Sequence, residues 1–536
     1  MKNLNLKNLS KFFLYSLSVI MIVSCTDLEI SETDSRISDG FTGVEDVAAA
    51  LDNAYNGINR IGDQANLFAL AEVTTDAALI PTRGTDWGDN GIWRQLHQHN
   101  WTAEHQFILN TWNQWNETQL QGSQILDARS NATGEQAGHA HFIRALGMYI
   151  ILDNFGQVPF RDTNAPSSED PQVMTGADAV AFIRADLEAA ISALPSEGPA
   201  TGNNRANKAV ARYLLAKLML NKHIYEGTAA DNADMQAVIT LVDAITAEGY
   251  GLVAGYFDIF REALDNETIW FVPTGVGNRI YNGLHYNSTS LGGGGWNGFS
   301  TLAEYYDLFE GDANSNRVDV NGNALDGQEE RRGGVPPAGA PFTNSPGTSD
   351  NGGVEDGSNV GFGFLLGQQY DLNGAPLTDR AGAPLVFTRE FLDNDGNPSL
   401  INNNERTGIR VMKYNPRYSS GFANHEILFR YSDAHLMKAE AMMRSGQDAT
   451  AMVNQLRTLR GATPLGTVTE QDLLDERGRE LFAEIWRRND MIRFGQYTRA
   501  WEFKDPSAVG DTNRNLFPIP APQLLLNPNL VQNPGY

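Results

Sequence analysis

Cysteine is almost absent from this chain, whose 536 residues contain a single one, Cys25. Without a second cysteine the chain can form no internal disulfide and no metal site built on several thiolates. Cations are also scarce, because 40 Lys and Arg stand against 65 Asp and Glu, for a formal net charge of −25. Such a surface repels nucleic acid and anionic lipid head groups, so neither is expected as a partner.

Long apolar runs are missing as well. The longest one, residues 12–23, is about as long as the core of a signal peptide and too short to span a bilayer as a helix. It follows three lysines and no acidic residue, which is typical of an export signal. We therefore predict that residues 1–24 are a signal peptide.

The end of that segment, Ile-Val-Ser-Cys at residues 22–25, resembles the lipobox of bacterial lipoproteins. The resemblance implies cleavage before Cys25 and diacylation of its sulfur. Several acyl chains on one residue are what stable anchoring needs. A cysteine that merely follows an ordinary signal peptide is the alternative, but it leaves a lone thiol in an exported protein unexplained. We expect residues 25–45 to form a lipidated tether at a membrane.

The first half of the mature chain has the apolar periodicity of helices. Residues recur at the i, i+3, i+4, i+7 spacing of a buried stripe in four stretches, at 142–149, 180–194, 210–218 and 238–245. Helices of this length with modest loops pack as αα-hairpins. We predict such a helical body over residues 46–266, resembling tetratricopeptide units, although no repeat is visible by identity.

The composition changes at about residue 267. Thr268 to Val272 is typical of a short strand, and glycine, asparagine and proline then become frequent. Residues 267–425 are therefore predicted to be a loop-rich insertion with a few strands. Helical periodicity returns over residues 426–536, including one predicted helix from Leu473 to Trp486, before a proline-containing extended tail. The predicted fold class is mainly α, a helical-hairpin body with an irregular insertion.

Several ordered motifs resemble those of the SusD/RagB family. They lie at residues 72–76, 142–146, 155–159, 411–414, 427–433, 436–441, 454–457, 476–493 and 517–536. The resemblance implies four tetratricopeptide-like hairpins and a position on the outer face of the outer membrane of Bacteroidetes. It also implies capture of glycans and delivery to a SusC-type TonB-dependent transporter that the protein caps as a lid. We interpret the charged motif residues as scaffold ion pairs, namely Glu440, Arg477, Glu480, Arg487 and Arg493.

A glycan site needs flat aromatic rings for the apolar faces of sugars and planar polar groups for their hydroxyls. A loop at residues 81–93 combines three glycines with such groups, and Trp87 in this loop is hard to explain as ordinary packing. Its alternative role is to cover a helix and cap helix ends. The candidate ligand contacts in this loop are Arg83, Asp86, Trp87, Asp89 and Asn90.

A second candidate segment contains a run of four glycines directly before Trp296. A tryptophan between glycines is expected to be exposed, and an exposed surface of that size favours ligand contact. The candidates here are Tyr281, Tyr286, Trp296 and Asn297. The other tryptophans of helical regions, Trp93, Trp112 and Trp115, are predicted to be core residues.

Metal binding has weaker support. Asp319, Asn321, Asn323 and Glu330 stand at oxygen-ligand positions of an EF-hand loop, but Ala324 replaces the glycine that this loop requires. Two interpretations of these residues therefore remain, a structural calcium site and a solvated polar loop. No other cofactor is predicted. Two histidine pairs lack acidic partners in sequence and are interpreted as structural, His97 with His99 and His139 with His141.

The sequence predicts a binding protein and not an enzyme. It has no nucleophile elbow, phosphate loop or HExxH motif. The acidic surface favours a neutral oligo- or polysaccharide as ligand. Two alternatives remain: capture of peptides, as in the RagB branch of the family, and a surface glycoside hydrolase with a pair of carboxylates.

Overall fold

The computed structural model describes most of the chain after residue 40. The described residues are 41–536 except 167, 203, 261–263, 275–276, 289–293, 320–321, 336–360, 372–373 and 415–425. Cys25, the predicted signal peptide and most of the predicted tether lie outside them.

The helices of the N-terminal half form an up-and-down array. They are α1 (Val47–Ile58), α2 (Leu67–Glu72), α3 (Ile92–Gln98), α4 (Gln106–Leu126), α5 (Gly134–Phe155), α6 (Gly176–Ala193), α7 (Lys208–Glu226) and α8 (Asn232–Ala247). From α4 to α8 each helix packs against the next, as in successive hairpins. The four predicted stripes lie on α5 to α8, and almost all of their apolar residues are buried, which confirms the predicted helical body.

Helices α4 and α5 approach each other through glycine. A Cβ atom on Gly147 would lie 2.8 Å from the carbonyl oxygen of Trp115, and one on Gly122 would lie 2.8 Å from the Cβ of Arg144. Any larger residue would therefore push the two helices apart. Trp112 and Trp115, predicted as core residues, are fully buried in this part of the core, which confirms that prediction.

Within the described residues the strands are short and form four small antiparallel groups. β1 (Gln157–Phe160) pairs with β2 (Gln172–Thr175), and β3 (Thr268–Val272) pairs with β10 (Glu426–Arg430). A four-stranded sheet has the order β4 (Ser300–Thr301), β9 (Ile409–Met412), β6 (Phe362–Leu365) and β5 (Gly333–Gly334). β7 (Gly367–Gln368) pairs with β8 (Val386–Phe387). Strand β3 has the predicted bounds.

The remaining helices belong to the insertion and the C-terminal region. They are α9 (Gly277–Gly283), α10 (Ala303–Tyr306), α11 (Tyr431–Arg444), α12 (Thr450–Leu459), α13 (Glu470–Leu481), α14 (Arg487–Arg493) and α15 (Ala521–Leu526). Helix α11 packs on α8, so the array continues from the N-terminal into the C-terminal region. The predicted helix from Leu473 to Trp486 instead ends at Leu481, because Ala483 and Ile485 have positive φ angles of 57° and 66°.

Two main cores support this arrangement. The larger one joins the N-terminal helices to C-terminal aromatics such as Phe429, Trp486 and Phe517. The second lies within the loop-rich region and is rich in aromatic rings, with Phe364 and Phe482 4.8 Å apart between centroids. In the part of the chain that the structure describes, no helix is both long enough and apolar enough to cross a membrane.

A buried network of ion pairs connects the C-terminal helices to the rest of the fold. The Glu480 carboxylate accepts hydrogen bonds from Arg430 at 2.6 Å, Arg460 at 3.0 Å and Arg331 at 3.3 Å. All four side chains are fully buried. Although burial acts to raise the pKa of Glu480, these arginines lower it, and the carboxylate stays ionised.

The other charged motif residues form similar pairs. Arg493 binds Glu440 at 2.7 and 2.8 Å, Arg477 binds Asp433 at 2.7 Å, and Arg487 binds Asp76 at 2.8 and 2.7 Å. Each of these arginines is buried. The prediction that these residues belong to the scaffold is confirmed.

Candidate functional site

The first predicted loop connects α2 to α3 and is fixed by backbone hydrogen bonds to a distant part of the chain. Thr82 donates its amide to the carbonyl of Leu400 at 2.8 Å and accepts from the amide of Asn403 at 3.0 Å. Arg83 and Asp86 donate their amides to each other's carbonyls at 2.9 and 3.0 Å, which closes a tight turn. The loop therefore has a defined conformation set by its neighbours.

Trp87 occupies a strained position in this loop. Its φ angle of 58° lies in the left-handed region, which for a bulky residue costs on the order of 1–3 kcal/mol and is typical of functional sites. Its indole Nε1 donates to the carbonyl of Trp296 at 2.7 Å, and its ring meets Trp93 edge-on at 5.8 Å. Trp87 remains half-buried, whereas Trp93 is buried in the core as predicted.

The second predicted segment folds back onto helix α9. Four backbone amides of this segment donate to carbonyls in or just after α9. The pairs are Gly295 to His285 (2.8 Å), Trp296 to Tyr281 (2.6 Å), Asn297 to Leu284 (2.7 Å) and Gly298 to Asn282 (2.7 Å). A Cβ on Gly298 would lie 2.7 Å from the Trp87 ring. Glycine is therefore required here by close contact with the first loop, so the two predicted segments meet at one site.

An exposed aromatic face marks this meeting point. The Trp296 side chain is 38% exposed, which confirms the predicted exposure. Tyr281 stacks against it with ring centroids 5.6 Å apart and an interplanar angle of 27°. Because Tyr281 is itself only half-buried, the two rings form a continuous apolar surface with defined orientation.

Arg83 does not face a ligand, which corrects the expectation from the sequence. Its side chain is only 2% exposed, and it donates to the carbonyls of Asn297 and Asn404 at 2.8 Å and to the hydroxyls of Thr407 (3.0 Å) and Ser300 (3.2 Å). Burial lowers the pKa of Arg83 to about 9. Its role is to tie the first loop to the second segment.

Asn297 is the second correction. Its side chain is completely buried, accepting from Arg410 Nε at 2.7 Å and donating to the carbonyl of Glu405 at 3.0 Å. Its φ angle of 55° allows the chain to turn directly after Trp296. Asn297 and Arg83 thus position the aromatic residues and leave no polar atom for a ligand.

The structure adds Arg380 and Glu405, which the sequence analysis missed. The Arg380 guanidinium lies over the Tyr286 ring, 3.8 Å from its centroid, and donates to Asp86 at 2.7 Å and to the Glu405 carboxylate. The Arg380 side chain is 50% exposed beside the predicted Asp86. A cation clamped by two carboxylates on an aromatic face is preorganised to donate further hydrogen bonds.

The turn that carries Arg380 belongs to a recurring pattern, Asp-x-x-Gly-x. At Asp371, Asp379 and Asp393 the carboxylate accepts the amide of the residue four positions later at 2.9 Å. This repetition of Asp and Gly spacing is the signal that could have drawn attention to the Arg380 turn.

Asp319 starts a turn of the same kind and accepts the amide of Asn323 at 2.9 Å, which gives the EF-hand-like spacing a structural explanation. Asn321 of that predicted calcium set lies outside the described residues. Within the described ranges, no three His, Cys, Asp or Glu side chains are grouped to hold a metal ion. Among the predicted structural histidines, His99 contacts the Thr74 carbonyl at 2.7 Å and His141 contacts Asp186 at 2.7 Å.

The titratable groups around Arg380 have defined charge states. Burial acts to raise the pKa of Asp86, but the neighbouring Tyr286 hydroxyl and Arg380 outweigh it and lower this pKa. Burial, together with Asp86, raises the pKa of Tyr286, so the phenol stays neutral. Burial and nearby arginines lower the pKa of His285 to about 3, so the imidazole is neutral. At neutral pH the rim presents an ionised Asp86 and a cationic Arg380.

Asp89 and Asn90 are exposed at the edge of the first loop. The Asp89 carboxylate accepts a hydrogen bond from Trp93 Nε1 at 3.1 Å, which holds it beside the aromatic residues. Both have positive φ angles, of 37° and 52°. Their contact with a ligand remains a prediction, as it does for Asp86, Trp87, Tyr281, Tyr286 and Trp296.

A helical-hairpin body with aromatic loops at one site places this chain in a known class of structures. It is similar to a SusD-like protein from Bacteroides fragilis, with a TM-score of 0.65 and 18% identity over 94% of this chain and 99% of that one. It is also similar to the surface glycan-binding protein A from Bacteroides uniformis, with a TM-score of 0.63 and 17% identity over 91% of this chain and 98% of that one. These likenesses establish the fold.

The chain belongs to the SusD family, whose model matches residues 266–536. A second family model, described as starch-binding associating with outer membrane, matches residues 28–220. The starch-binding protein SusD of Bacteroides thetaiotaomicron is 26% identical over 592 aligned positions that cover all of both chains. The family resemblance of the motifs is thereby confirmed.

Proposed function

We propose that this protein is a non-catalytic, cell-surface glycan-binding protein that captures oligo- or polysaccharides on the face formed by Trp296 and Tyr281. The exposed stacked pair is the observation that carries the proposal. Stacked rings cover the apolar faces of pyranoses, and rigid loops hold the rings ready. The names of the relatives support it, since they include a starch-binding protein and a laminarin-binding SusD-like protein.

Polar groups beside the rings supply the hydrogen bonds that sugars need. Asp86 accepts from hydroxyls, Arg380 donates to them, and Asp89 and Asn90 extend the rim. The charge of Arg380 is matched by Asp86 and Glu405, so an anionic ligand gains little from it. Together with the net charge of −25, this favours a neutral glycan.

The carboxylates of the site are poorly suited to hydrolysis. Glycoside hydrolysis needs a carboxylic acid that stays protonated near neutral pH and a second carboxylate across the scissile bond. The pKa of Asp86 is lowered, and both Asp86 and Glu405 are engaged by Arg380. This arrangement supports the proposal of binding without turnover.

Location and partner complete the proposal. The lipobox-like sequence at Cys25 would anchor the mature chain in the outer membrane with its body outside the cell, and the family description refers to that membrane. There the protein would act as the lid of a SusC-type TonB-dependent transporter. Cys25→Ala should release the protein from the cell surface and leave glycan binding unchanged. Mild detergent extraction of the wild type should co-purify a large β-barrel protein.

A polysaccharide panel tests the binding function. The mature protein is run through native gels containing single polysaccharides, and the same mixtures are assayed for new reducing ends. Retarded migration without new reducing ends supports the proposal, and turnover would establish a hydrolase instead. A parallel arm with defined peptides tests the RagB-like alternative. Binding of peptides with no retardation by any glycan would replace the proposal with peptide capture.

A further inference from the structure

A second pocket, separate from the aromatic face, lies where helices α5, α7 and α14 meet the C-terminal tail. Its volume is about 470 Å³, and its apolar walls include Leu152, Ile492 and Leu516. Tyr225 also lines the pocket. A volume of this size falls within the range of ligand pockets, about 300–1,000 Å³. It shares no lining residue with the Trp296 site.

The polar centre of this pocket is a preorganised carboxylate. Asp153 accepts from the Tyr225 hydroxyl at 2.9 Å, from Asn489 Nδ2 at 2.5 Å and from Arg488 at 3.1 Å. The Asp153 side chain is 15% exposed, so a ligand can reach it. Arg493 fixes the orientation of Asn489 by donating to its amide oxygen at 2.8 Å. These contacts hold the carboxylate in place before any ligand arrives.

Two threonines that line the pocket, Thr175 and Thr512, are exposed and mark its mouth.

These features define the chemistry of the occupant. The interior presents the partly exposed carboxylate of Asp153, which favours a ligand that donates hydrogen bonds. Arg488 already balances the charge of Asp153, which leaves little gain for a cationic ligand. The apolar walls and the Tyr225 ring suit a ligand with one apolar face. We propose that this pocket binds a small neutral saccharide of one or two rings, as a second sugar site on the helical body.

The test uses the full mature chain with Trp296→Ala, which weakens the first site, and the part of the signal that Thr512→Trp removes is assigned to the pocket. Saturation-transfer NMR is recorded with glucose, galactose, mannose, xylose, maltose and cellobiose. At least one sugar should give a signal. Thr512→Trp fills the mouth of the pocket and should raise the dissociation constant of that sugar at least about tenfold. Thr512→Ala should keep this dissociation constant within about twofold of its value before the change. Thr512 is exposed, so neither change disturbs the core.

A second variant, inside the pocket, separates loss of binding from loss of folding. Tyr225→Phe removes the hydroxyl that orients Asp153 and should weaken the same sugar several-fold while the circular dichroism spectrum stays unchanged. No signal with any sugar, or a signal that Thr512→Trp leaves unchanged, would overturn the second site. Failure of the first site would appear separately, as absence of polysaccharide retardation in the wild type.

Discussion

Replacing Trp296 with alanine is the most direct test of the aromatic face. The substitution removes the exposed ring but keeps the backbone contacts that hold the segment. The amide of Trp296 donates to Tyr281, and its carbonyl accepts from the Trp87 indole. Both hydrogen bonds survive in Trp296→Ala, so we expect a folded protein that has lost half of its stacked pair.

The size of the effect follows from the exposed area. A tryptophan side chain presents roughly 250 Å², so the 38% that is exposed corresponds to about 95 Å². At about 25 cal/mol per Å², covering all of this area contributes about 2.4 kcal/mol, and covering half contributes about 1.2 kcal/mol. The dissociation constant of the best glycan should therefore rise about 8- to 60-fold in Trp296→Ala.

Isothermal titration calorimetry with that glycan measures the change. Leu525→Ala is a matched control, because Leu525 is 87% exposed and lies in α15, outside the aromatic site. It removes exposed apolar surface without touching the site and should leave the affinity unchanged. A folded Trp296→Ala protein whose dissociation constant differs from that of the wild type by less than about twofold would refute the assigned role of the ring.

Three further predictions concern the scaffold. Glu480→Gln should lower the free energy of unfolding by about 3–5 kcal/mol, because three buried guanidiniums lose their shared carboxylate. Urea unfolding measures this change, with the exposed Glu470→Gln as the control. Equal unfolding midpoints for the two variants would contradict the role of the network. Although burial acts to raise the pKa of Glu476, neighbouring arginines lower it to about 2, so its stabilisation is complete above pH 4.5 and lost as the pH falls towards 2. Thermal melts from pH 6 to 2.5 should show a steeper fall for the wild type than for Glu476→Gln, and parallel curves would disprove this. Gly147→Ala should cost about 1–3 kcal/mol in urea unfolding, whereas Gly134→Ala, with open space around it, should change little; a neutral Gly147→Ala would refute the tight helix contact.

The helices were predictable because their signal is local. Apolar spacing along α5 to α8 depends only on neighbouring residues, and a periodic stripe must be buried wherever the helix lies. The helix predicted from Leu473 shows the limit of such reasoning. Its apolar pattern continues through Phe482, but the backbone turns at Ala483 so that Phe482 can enter the second core.

The candidate site was predictable only in part. Glycines around Trp296 indicated an exposed ring, and the ring is exposed. Arg83 and Asp86 looked equivalent in one polar loop, yet the first is buried and the second stands at the rim. The difference arises because residues from the Asn404–Thr407 segment cover Arg83. No local pattern carries that information.

The sequence by itself determined the helices of the N-terminal half and the family resemblance, together with the prediction of an exported chain anchored at Cys25. Those properties are encoded in short motifs, in periodicity and in composition. Only the tertiary structure decided which polar groups face solvent at the aromatic site and that Arg380 and Glu405 join it. The physical reason is that burial and ion pairing depend on segments far apart in the chain that meet only after folding.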